Sequence, residues 1–129
     1  MLLVGMIAAF LAAALHVFIF YIESFAWTTR ALSVFGMDRE SAEATREMAF
    51  NQGFYNFFLA IEAFAGIAIY YLYLASRPVG LTLALFGTGS MLAAALLLFV
   101  TSPDKRSVAI KQGFLPLLAV VTLAAGALL

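Results

Sequence analysis

The stretch Asn51-Gln52-Gly53-Phe54-Tyr55-Asn56 opens a segment that then runs apolar as far as Ala75. Three amides in six residues are costly where water is scarce, so they point at something inside a protein rather than at lipid. The segment from Phe50 to Leu74 exceeds the ~20 residues needed to cross a hydrocarbon core. A polar cluster at one end of a membrane-spanning helix is therefore the expectation around which the remaining segments are arranged.

Composition agrees with it. The chain has 129 residues, 65% hydrophobic and only 11% charged, with a mean hydropathy of +1.05, whereas soluble domains carry roughly 25% charged residues. Four apolar segments, about 2–27, 50–74, 79–100 and 107–129, predict a single transmembrane domain over 1–129. The fold class is all-α: an integral membrane four-helix bundle made of two helix hairpins. The first segment has no basic start and continues past the length of a signal-peptide core, so it reads as retained. Seven basic and seven acidic residues give no electrostatic footprint for nucleic acid. The lack of cysteine excludes disulfides, thiol redox chemistry and Cys-ligated metals.

Along the first span, Gly5, Ala9, Ala12, His16, Glu23 and Trp27 fall on one stripe at about 100° per residue, which should face protein. Between Thr28 and Met48 acidic and basic residues are interspersed. Asp38, after Gly36, has the character of an N-cap, and a short cytoplasmic surface helix flowing into the second span is expected, more a solvated connection than a lid. The second span ends in Tyr70, Tyr71 and Tyr73 before Arg77-Pro78, an aromatic belt with a basic anchor. The third holds Gly80, Ala84, Gly87, Gly89 and Ala93 and should pack tightly. In the fourth, Pro116 frees the carbonyl of Gln112, where a kink or an extra acceptor is expected.

An internal echo joins the halves of the chain: Met48-Ala-Phe-Asn-Gln-Gly-Phe54 aligns with Val108-Ala-Ile-Lys-Gln-Gly-Phe114. Each copy opens an even-numbered span, as in two parallel hairpins related by an axis along the membrane normal. Arg30, Arg39, Arg46, Lys105, Arg106 and Lys111 flank the loops after spans one and three, whereas Arg77 alone marks the other connection. Both termini should then lie on the non-cytoplasmic side, with the amide cluster at the cytoplasmic end.

Spans one and two are antiparallel, and His16 to Glu23 matches Tyr55 to Glu62 in spacing. Setting Glu23 level with Tyr55 puts His16 level with Glu62 near midplane and Trp27 level with Asn51. This predicts His16 and Glu62 as a structural buried pair. Glu23 should then stand beside Tyr55 and the amides of Asn51, Gln52 and Asn56.

The residues His16-x6-Glu23, Trp27-Thr28-Thr29, Ala49-x-Asn51-Gln52-Gly53-x-Tyr55-Asn56-x-x-Leu59-Ala60 and Gln112-Gly113-x-x-Pro116 resemble the small bacterial membrane-protein family catalogued as domain of unknown function 1304. The resemblance covers essentially the whole chain. It implies four helices in a compact bundle, in a bacterial inner membrane, and brings no established activity. Glu62 lies outside the pattern.

The candidate ligand-binding or proton-relay residues are thus His16, Glu23, Trp27, Asn51, Gln52, Tyr55, Asn56 and Gln112. Their bland alternative is helix–helix hydrogen bonding, and for His16 a purely structural role is favoured slightly over a relay. Metal ligation ranks last, because His16 is the only histidine and no further ligands accompany it; no pattern identifies a cofactor. Three functions remain open: a polar intramembrane pocket between spans one and two that binds or moves a small amphipathic ligand or protons; a membrane-embedded acid/base enzyme of the isomerase kind on a lipophilic substrate; and an accessory subunit that meets a homo-oligomeric or membrane partner through its Gly/Ala faces. The lipid bilayer is the partner common to all three.

Overall fold

Long apolar runs in lipid leave the backbone no partner but itself, and in this chain each such run closes its hydrogen bonds within a helix. The structure, a computed structural model describing residues 1–129, contains α1 (Leu2–Phe25), α2 (Ala31–Phe35), α3 (Arg39–Ala44), α4 (Arg46–Leu72), α5 (Arg77–Thr101) and α6 (Arg106–Leu128). Helices α1, α4, α5 and α6 are long and apolar enough to cross a membrane. They close a ring in which α1 packs on α4, α4 on α5, α5 on α6 and α6 back on α1. This is the expected four-helix bundle of two hairpins, and its composition is that of an integral membrane protein.

The interior is built mostly of alanine: Ala9, Ala12, Ala13, Ala60, Ala63, Ala84 and Ala119 are fully enclosed, while Phe10, Phe18, Phe58, Phe86 and Phe114 point outward. That distribution inverts a soluble core, and it follows from lipid solvating large side chains as well as protein does. Packing is then best where small residues let backbones approach. The α4–α5 contact is closest at Gly66 and Gly80, where a side-chain carbon on either would come within 2.6 Å of backbone atoms of the other helix. Buried hydroxyls close on their own helices, Thr88 donating to the Ala84 carbonyl at 2.7 Å and Thr122 to that of Leu118 at 2.6 Å. Every enclosed side-chain nitrogen and oxygen has a partner.

The turn after α4 and the turn after α5 share one construction. Ser76 and Lys105 donate their amides to the Tyr73 and Ser102 carbonyls, both at 2.9 Å. Arg77 then reaches back to the Tyr70 carbonyl at 3.3 Å, and Arg106 to that of Phe99 at 3.0 Å. Each guanidinium also covers the ring of the residue it bonds, at 4.9 and 4.7 Å from the centroids. A helix end has carbonyls with no intrahelical partner, and here the next helix's first arginine takes one of them.

The connection after α1 differs from expectation in having two short helices rather than one. Gly36, at φ 64°, ends α2 in the left-handed region that glycine enters freely. Asp38 then caps α3, its carboxylate accepting from the Ser41 amide at 2.7 Å. Thr45, at φ −110° and ψ 8°, leaves the helical conformation and separates α3 from α4, its hydroxyl closing on the Ser41 carbonyl at 2.9 Å. Pro116 is buried within an uninterrupted α6.

Candidate functional site

The site begins with how α4 is rotated. Gly53 lies against α1 so closely that a side-chain carbon there would stand 3.0 Å from the Phe20 carbonyl and 3.0 Å from the Ser24 amide. Ser24 adds a hydrogen bond to the Phe50 carbonyl at 2.9 Å. With Gly53 fixed at the contact, the residues on its face, Ala49, Ala60 and Ala63, become buried. Asn56, one turn from Gly53, is carried to the same face.

Asn56 Nδ2 donates to Glu23 Oε1 at 2.5 Å, and Glu23 is only 5% exposed. Next to this pair a recess of about 590 Å³ opens at the end of the bundle where α1 and α5 finish and α4 and α6 start. Glu23, Trp27, Gln52 and Gln112 line it, together with Phe35, Met37 and Asp38 from the α2–α3 connection. Trp27 is held in place by a hydrogen bond from Nε1 to the Thr45 hydroxyl at 3.0 Å and by the Phe35 ring, 5.4 Å between centroids. Asp38 belongs to the aqueous connection, and the Ser41 amide holds its carboxyl below the usual carboxylate value.

Four of the residues expected from sequence thus line one recess, Glu23, Trp27, Gln52 and Gln112, and Asn56 is tied to it through Glu23. The others stand elsewhere. Tyr55 is 69% exposed on the outer face beside Phe58, so Asn56 and not Tyr55 is the neighbour of Glu23. Asn51 is exposed and bonds its own helix, Nδ2 to the Glu47 carbonyl at 3.4 Å. The expected His16–Glu62 pair does not form: His16 Nδ1 meets the Ala12 carbonyl at 2.8 Å, and Glu62 is half-buried away from it. One physical reason covers all three corrections. Asn51, Tyr55 and Glu62 share a stripe, but small residues decide which face of a membrane helix goes inward, and that face is the one through Gly53 and Ala60.

Sequence reasoning missed Thr45, Leu98, Ser102, Asp104 and Lys105, of which the last four bring the second hairpin into the recess. The echo was the available signal. Met48 and Gln52 line the recess, and so do their counterparts Val108 and Gln112, while Gly53 and Gly113 are both buried. Gly113 approaches Ala95 of α5 as Gly53 approaches Phe20 of α1. Glu23 and Trp27 in the first hairpin then correspond to Leu98 and Ser102 in the second, with the same spacing of four residues. The two hairpins surround the recess as near equivalents, and only the first carries a buried carboxylate and an indole at these positions. No group of three His, Asp or Glu side chains converges as a metal site would require.

Four membrane-length helices that close around a polar recess at one end define a small polytopic membrane protein with its distinctive chemistry gathered at a single bundle end. The chain belongs to the family described as Protein of unknown function (DUF1304), whose model matches residues 10–124. No curated protein and no solved structure matches it.

Proposed function

We propose that the protein binds a small amphipathic molecule in the recess at the end of the bundle, and holds or carries it there. The observation that supports this reading is the recess itself: about 590 Å³, within the roughly 300–1,000 Å³ typical of ligand sites. Its lining combines a buried carboxylate and two glutamine amides with Trp27, Phe35, Met37 and Leu98. Polar groups suit a head and apolar ones a chain. Acid–base catalysis is less favoured, because His16 lies two helical turns from Glu23 and bonds its own helix, roughly 10 Å along the axis. The excess of basic residues at this end supports a recess on the cytoplasmic side of an inner membrane, with both termini on the opposite side.

Trp27 is the only tryptophan, so its emission reports on the recess alone. Bromododecanol, whose bromine quenches indole, should quench Trp27 saturably, and Gln112→Phe, which fills the space, should abolish the saturation. Quenching that rises without limit in both proteins, as partition into the surrounding apolar phase would give, contradicts the reading.

A further inference from the structure

We propose that the recess selects amphiphiles whose head is a protonated amine. The inference rests on the binding role proposed above and adds the charge of the head. Three carboxylates, Glu23, Asp38 and Asp104, line the recess against a single ammonium, Lys105. Glu23 carries the argument: it is 95% buried, with 5% of its surface exposed, and its hydrogen bond comes from Asn56, a neutral amide that supplies no counter-charge. Every fully enclosed side-chain oxygen in the protein has a partner, so the second Glu23 oxygen, which accepts nothing, is not fully enclosed, and the residue lines the recess.

A carboxylate removed from water requires a cation or a donor to complete it. An alkylammonium head brings both to the recess that Glu23 lines. Trp27 and Phe35, 5.4 Å apart between ring centroids, both line the recess, and aromatic rings stabilise a cation as it leaves water. The carbonyls of Gln52 and Gln112 accept from any N–H that Glu23 leaves over. An anionic head would bring like charge to a recess lined by three acidic residues and one basic one, and an alcohol brings no counter-charge to Glu23.

The test uses the full-length protein in dodecyl maltoside, with Trp27 emission as readout. Dodecylamine, dodecyltrimethylammonium, dodecanol and dodecanoate share one chain and differ in the head. Dodecylamine should saturate the signal at a concentration about tenfold lower than dodecanol, the factor expected of one hydrogen bond to a charged group. Dodecyltrimethylammonium, charged but without N–H, should bind more weakly than dodecylamine, and dodecanoate most weakly. Glu23→Gln should remove the preference for dodecylamine over dodecanol. If Glu23→Gln fails to fold, Asp104→Asn at the recess serves instead and should reduce the preference in part. Equal saturation by all heads, unchanged by either variant, overturns selection of a cation while leaving the binding role intact. Saturation by none overturns the binding role and this inference together.

Discussion

Replacing Gly66 by alanine adds one methyl group where α4 and α5 touch through their backbones. That carbon would lie 2.5 Å from the Ala84 amide nitrogen and 2.6 Å from the Gly80 carbonyl oxygen. Non-bonded heavy atoms settle at roughly 3.5 Å, so the two helices must part by about 1 Å. Neither opposing atom belongs to a side chain that can turn away, which places the cost near the upper end of overpacking, about 3 kcal/mol. Alanine regains about 1 kcal/mol of helix propensity over glycine, leaving a net loss of about 2 kcal/mol. Gly89 supplies the control, because nothing lies within 4 Å of a carbon added there. Gly89→Ala should keep the propensity gain and be as stable as the parent or more so. Unfolding of both variants followed by circular dichroism in dodecyl maltoside measures the contrast, about 3 kcal/mol between them. Equal stability of Gly66→Ala and Gly89→Ala would refute the backbone contact and with it the α4–α5 packing.

Asn56→Leu leaves Glu23 without its donor, which should cost about 1–3 kcal/mol in the same assay, whereas Tyr55→Phe, on the outer face, should change stability by less than about 0.5 kcal/mol; the reverse order would mean that α4 is rotated as Tyr55 would require. Single cysteines at Ser41 and Ser107 should resist an impermeant thiol reagent in intact cells while one at Ser76 labels, on a background free of native cysteine; the opposite pattern would turn the recess to the outside. Bonding from Ser41 holds the Asp38 carboxyl below its ordinary value, so the charged cap supports the start of α3 above the unfolded value of about 4 and is lost as pH falls through the lowered folded value. Protection of the Ser41 amide against exchange, taken relative to the unfolded rate at each pH, should fall on that acid side in the parent and be low at every pH in Asp38→Ala.

The number of membrane-length helices was legible in the sequence, because an apolar run of more than about 20 residues satisfies its backbone in lipid as a helix. The cap at Asp38 was legible because aspartate is a favoured first residue before a helix and Gly36, two residues earlier, marks a break in the chain. The rotation of α4 was not read correctly. Polar residues drew attention to the stripe through Asn51, Tyr55 and Glu62, yet the helix turned on Gly53, whose lack of a side chain lets it meet the backbone of Ser24. Asn51 lost nothing by facing outward, because its amide closes on the Glu47 carbonyl. His16 likewise found its partner one turn back, at Ala12. A polar side chain in a membrane helix has a local acceptor always at hand, so matched spacings on two helices do not oblige the side chains to meet. Glu23 differs in that a carboxylate cannot bond a carbonyl, and the contact it needed, with Asn56, crosses between helices.

The arrangement of Glu23, Asn56 and the recess is the centre of the account, and an electron-density map of the protein crystallised from lipid tests it most directly. The account predicts the Glu23 carboxylate within hydrogen-bonding distance of the Asn56 amide, Trp27 against Thr45, and density of an elongated molecule running from Glu23 past Gln52 and Gln112. A map with Glu23 turned toward lipid, or with the space between Trp27 and Gln112 closed by the protein's own side chains, would contradict it.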